Sequence, residues 1–149
     1  MRGAGRLTIA VAVIALVLGS VAAAASTPTA YRKHASTICA ATNSLLNAVP
    51  KPTKTSQIEA FLKQDLVIFR AQLKKLRTLT PPKSLRALHL KALAWETKEL
   101  AAVKQLVDKI HGGTPPETAF KSLSKKLTTL AKSESAVWKK LKIKSCAAQ

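Results

Sequence analysis

The chain has 149 residues and a formal net charge of +18, set by 25 basic and 7 acidic side chains, with only two cysteines. This length suits one domain around one core and leaves no room for a sizeable second one. Two cysteines exclude more than one intramolecular bridge.

Residues 1–25 read as a secretory signal peptide. Arg2 and Arg6 form a positive start, Leu7 to Leu18 is a mostly apolar run, and "SVAAAAS" offers A-x-A cleavage frames around Ala24 and Ala25. The run is shorter than the ~20 residues a spanning helix needs, so cleavage is expected over retention as a membrane anchor. No cysteine stands at the cleavage site, which argues against a lipid anchor. The mature chain, 26–149, keeps a charge of about +16.

Four helices follow. Thr27 is a candidate N-cap with Pro28 at the first helical position, and Tyr31, Ala35, Ile38, Thr42, Leu45 and Val49 make a stripe at helical spacing. "VPKPT" stops it. A capping box, Ser56 to Glu59, opens the second helix, with Ile58, Leu62, Leu66, Phe69, Leu73 and Leu76 as its stripe before "LTPPKS". The third runs from about Ser84 to His111 and ends at "HGG". Leu85, Leu88, Ala92, Trp95, Val103, Leu106 and Ile110 lie on its apolar side. The fourth opens with a second box, Thr114 to Glu117, with Pro115 at its first position. Its stripe is Phe120, Leu123, Leu127, Leu130, Val137, Trp138 and Leu141. No strand alternation, internal repeat or second domain is present. Short links between long amphipathic helices predict an all-α, antiparallel (up-down) four-helix bundle.

The two cysteines are Cys39, inside the first helix, and Cys146, beyond the fourth. An exported chain meets oxidising conditions, where they would close one intramolecular loop. An intermolecular bridge and two free thiols are the alternatives. The chain-entropy account gives a loop of ~100 residues on the order of 4–5 kcal/mol. An intramolecular bridge requires either a tail that doubles back along the bundle or a shifted first helix.

The acidic residues are unevenly explained. Glu59 and Glu117 fit capping, and Asp108 follows Lys104 by four residues as a surface pair would. Asp65, Glu96, Glu99 and Glu134 instead fall within the apolar stripes, and none has a Lys or Arg three or four residues away on its own helix. Idealised register puts Asp65 level with Glu99, and His34 near Glu96 and Glu134. His89 shares the inner stripe of the third helix. Carboxylates on facing helices are how ferritin-like bundles hold metal, although no Glu-x-x-His occurs here. The plainer expectation is that these acids reach Lys on neighbouring helices, with no metal and no cofactor.

The remaining surface is rich in Lys and poor in Arg, and both tryptophans fall on apolar stripes. A nucleic-acid groove usually adds Arg and stacking aromatics, so nucleic acid is a poor candidate partner. Anionic cell-envelope polymers or lipid head groups fit the charge better, and the preferred expectation is a solvated Lys face that keeps the protein soluble. There is no phosphate-binding glycine loop, H-E-x-x-H, G-x-S-x-G or C-x-x-C, so catalysis is not expected.

Three short patterns, "YRKHASTIC", "PPKSL" and "WKKLKIKSCA", resemble those of a loose group of uncharacterised small secreted proteins common in actinobacteria. Members of that group often carry Gly after the W-x-x-L leucine, where this chain has Lys142. The resemblance implies a helical fold with a Cys39–Cys146 disulfide and no activity. The expectation is thus a secreted or extracytoplasmic, monomeric domain, residues 26–149, with a structural or binding role at the cell surface. Lys-rich adhesion to an anionic polymer or membrane is one alternative. A metal or small-ligand carrier using Asp65, Glu96, Glu99 and Glu134 is the other.

Overall fold

The computed structural model describes residues 27–147. The expected signal peptide lies outside them. The described chain is all-helical: α1 spans Pro28–Ala48, α2 Ile58–Arg77, α3 Lys83–His111, α4 Pro116–Leu141 and a short α5 Lys144–Ala147. No described helix is long and apolar enough to cross a membrane.

Helix starts differ in how they are satisfied. Thr27 caps α1 as expected, its Oγ1 accepting the Ala30 N–H at 3.2 Å, with Pro28 at the first position. The Ser56–Glu59 box does not form. One turn of 3-10 helix, Thr55–Gln57, precedes α2, and Gln57 Oε1 accepts the N–H groups of Thr53 and Lys54 at 2.8 and 3.1 Å. The longer amide reaches back to donors that the Ser56 hydroxyl does not serve, and Glu59 turns to Lys63 and His111. The Thr114–Glu117 box is also absent. The Thr114 N–H closes the end of α3 on the Lys109 carbonyl at 3.0 Å, and α4 begins one residue late, at Pro116. Pro115 takes the N-cap position and has no side-chain acceptor to offer the first turn. Gly113, at φ +90°, supplies the left-handed backbone that reverses the chain after α3.

The core forms two clusters. One gathers Tyr31, Ala35 and Cys39 of α1 with Leu76, Ala92, Trp138 and the tail residues Ile143 and Cys146. The other joins Leu62 and Leu66, Leu106 and Val107, and Ala119 and Leu123, with no residue from α1. The α1 stripe runs through Cys39, Thr42, Leu46 and Val49. Leu45, expected on it, is therefore turned about 100° away and is 55% exposed. Phe120 sits at the rim for the same reason, because Ala119 takes the inward position. Trp95 is half-buried, with the Lys98 ammonium 4.4 Å from its ring centre.

The tail doubles back. Lys142 adopts a left-handed conformation, φ 61° and ψ 42°, and the Ile143 N–H bonds back to the Trp138 carbonyl at 3.1 Å. This sends α5 between α1 and α4, against both of which it packs. Arg32 Nε donates to the Leu141 carbonyl at 2.9 Å, Asn43 Nδ2 donates to the Ser145 carbonyl at 2.9 Å, and the Ser36 and Ser145 hydroxyls meet at 3.0 Å. The Cys39–Cys146 disulfide fixes the arrangement, with Cα atoms 5.1 Å apart. Lys142 holds a position that glycine occupies without steric cost. Lys142→Gly is therefore expected to raise stability by about 0.5–1 kcal/mol, read from a shift of the urea midpoint at constant m-value.

Candidate ligand-binding cleft

The helix α3 packs against both α2 and α4, while α2 and α4 meet each other sparsely at most. The space between them is a cleft of about 140 Å³, floored by α3 and closed at one end by α5. From α2 come Leu62, Asp65, Leu66 and Phe69; from α3 Glu96, Glu99, Leu100 and Val103; from α4 Ala131, Glu134 and Ser135; and from α5 Cys146 and Ala147. The cleft lies where the two core clusters meet: Leu62 and Leu66 belong to one and Cys146 to the other.

All four of the carboxylates singled out from the sequence line this one space. The expectation that they reach lysines on neighbouring helices is not met: among the described residues none of the four forms an ion pair, and no Lys, Arg or His lines the cleft. Lys104–Asp108, by contrast, pairs on the surface as expected, at 2.6 Å.

Each inner carboxyl has a distinct environment. Glu96 is 3% exposed; its Oε1 accepts from Gln72 Nε2 at 3.1 Å and its Oε2 has no partner. Burial pushes its pKa up to about 7, further raised by the charge of Glu99 and opposed by the Gln72 hydrogen bond and the more distant Arg77. Glu134 is also buried. Its Oε1 accepts the Trp138 indole N–H at 2.9 Å. Burial, and then a carboxyl–carboxyl hydrogen bond with Glu99, push the Glu134 pKa up to about 9. Two carboxyls in hydrogen-bond contact are stable when they share a proton. Asp65 is half-buried, its Oδ1 is sealed from water without a partner, and burial raises its pKa.

The histidines take no part. His34 is exposed on α1, which contributes nothing to the cleft, so its expected approach to Glu96 and Glu134 does not occur. His89 is buried as expected, but its Nδ1 is hydrogen-bonded to the Tyr31 hydroxyl at 2.8 Å, inside the first cluster. Burial pushes the His89 pKa down, which favours a neutral ring. Among the described residues no three of His, Cys, Asp and Glu are grouped to hold one metal ion. The acids face one space from different walls without converging on a point.

Gln72 was not foreseen. It is 1% exposed and lies on the inner side of α2, next to Leu73 and one turn before Leu76. A polar residue on an apolar stripe was the available signal. Ser135 is a second such residue, its hydroxyl donating to the Ala147 carbonyl at 2.8 Å and tying α4 to the tail.

Comparison with protein-family models, curated proteins and solved structures gives no match. The functional reading therefore rests on the cleft.

Proposed function

We propose that the chain is an exported, non-catalytic binding domain that carries a small ligand in the cleft between α2 and α4. The observation behind this reading is Glu96: a carboxyl on the cleft wall, 3% exposed, with one oxygen buried and unpartnered. A buried polar oxygen without a donor costs about 1–3 kcal/mol, and a ligand that supplies the donor recovers it. The reading takes the chain as an up-down bundle in which α1 stops short of one half, so that the place of a fourth helix is left to the ligand. Export accords with the disulfide, with the signal-like start of the sequence and with a Lys-rich exterior suited to anionic surroundings.

The test is a small-fragment screen of the oxidised protein, followed through the Trp138 indole N–H resonance. That proton is bonded to Glu134 at the cleft wall. Fragments that bind are expected to move it, and Ala131→Phe, which fills the cleft from α4, is expected to abolish the response. A screen in which no fragment moves the resonance, or in which Ala131→Phe binds as the wild type does, would end this reading.

A further inference from the structure

We propose that the ligand is a small organic ammonium, a protonated amine on an apolar body about the size of a benzene ring. This rests on the cleft being the binding site and adds the chemical class of its occupant.

Three features of the cleft point to that class. The first is the mismatch between donors and acceptors. The four carboxyls offer acceptor oxygens, and two of these, Glu96 Oε2 and Asp65 Oδ1, are sealed from water with nothing donating to them. The one hydroxyl on the walls, Ser135, already donates to the Ala147 carbonyl. A ligand that shifts these side chains far enough to reach the two oxygens must therefore bring N–H or O–H groups, and an ammonium brings three with a compensating charge.

The second feature is local charge. A chain with a net charge of +18 places no cation on this surface, so the uncompensated acids select a positive guest within a protein that repels positive ions elsewhere. The third is the shape and chemistry of the walls. Leu62, Leu66, Phe69, Leu100 and Val103 surround the acids, and a space of about 140 Å³ is close to the ~150 Å³ apolar cavity that accommodates benzene. A bare metal ion would leave those apolar walls unused, and the acids lack a common point at which to coordinate it.

Protons hold the empty site together. Burial and the contact with Glu99 keep one on Glu134, and burial keeps another on Glu96 up to about neutrality. The charged groups that act on Glu96 and Glu134 are Glu99 on α3, Arg77 on α2 and the two glutamates on each other; Asp65 of α2 lines the same cleft, and the α5 residues on the wall, Cys146 and Ala147, carry no titrating group. An ammonium entering between the carboxyls favours their ionised forms and expels a proton. Affinity for an amine that itself stays protonated over this range therefore rises as pH climbs from about 6 to about 9.

The probes are benzylammonium and butylammonium, set against their neutral counterparts benzyl alcohol and 1-butanol, with Zn²⁺ and Ca²⁺ as competitors. Binding is read by the Trp138 resonance and by titration calorimetry in buffers of different ionisation enthalpy. The ammonium ions are expected to bind about tenfold or more tighter than the alcohols, with proton release, and to lose about that factor in Glu96→Gln. Equal binding of alcohol and ammonium, abolished by Ala131→Phe, would overturn the cationic ligand and leave the cleft as a binding site. Displacement by a divalent ion at stoichiometric concentration would overturn it in favour of metal. If no probe of either charge moves the resonance, the ammonium proposal fails; failure of the broader fragment screen as well removes the cleft reading.

Discussion

Glu96→Gln is expected to stabilise the protein by about 3 kcal/mol at about pH 8 and to change it little at about pH 4. In the wild type the folded-state pKa of Glu96 is raised to about 7, while in the unfolded chain the group has an ordinary carboxylate value. Between those values the folded protein holds a proton that the unfolded chain has released. Stability therefore falls as pH rises through this window and levels off above it. A carboxamide at this position keeps an acceptor for Gln72 and cannot ionise. Glu134→Gln has the same sign over a window reaching to about pH 9, but its effect and that of Glu96→Gln are not additive, because both groups interact with Glu99. Urea unfolding at acidic, neutral and alkaline pH checks this. A Glu96→Gln variant with the wild-type pH dependence would show that the carboxyl is neutralised by something other than a proton.

Opening the disulfide is expected to act in the opposite direction and more strongly. The bridge links residues 107 apart in sequence, and a loop of that order is worth about 4–5 kcal/mol in the chain-entropy model. Cys39→Ala with Cys146→Ala, or chemical reduction, should lower the unfolding free energy by roughly this amount. The cleft should respond before the whole protein does. The four-residue helix α5 is too short to persist alone, so its position depends on the bridge and on its bonds to Ser36 and Asn43. Hydrogen exchange at Cys146 and Ala147 should accelerate in the reduced protein while the α3 interior stays protected. Equal acceleration throughout would mean that α5 and the bundle open as one unit.

Much of this arrangement was legible in the sequence, and the misses have local causes. Helical period placed Leu62, Leu66, Leu106, Trp138 and Leu141 inside, where they are. Missing i±3 and i±4 partners marked Asp65, Glu96, Glu99 and Glu134 as unusual, and all four meet at the cleft. What period cannot supply is axial offset. The position of α1 relative to α3 depends on loops and on the bridge, so His34 was placed by ideal register near acids that it never approaches. Both capping boxes failed for nearest-neighbour reasons: Gln57 offered a longer acceptor than Ser56, and Thr114 was already engaged by the end of α3. Lys142 itself carried no signal of a left-handed turn, a conformation that usually falls to glycine or asparagine; the only pointer was the glycine common at this position in the group the chain resembles.

The position of the bridge also governs what happens when a protease finds the chain. The link between α1 and α2 is exposed at Lys51, Thr53 and Lys54, and these residues lie between the two half-cystines. A cut there yields two polypeptides that remain joined through Cys39 and Cys146, with the walls of the cleft all on the C-terminal piece. Clipped and intact molecules then differ by one water in mass and separate only after reduction. Trypsin-like cleavage after Lys54 therefore leaves the assembly covalently whole.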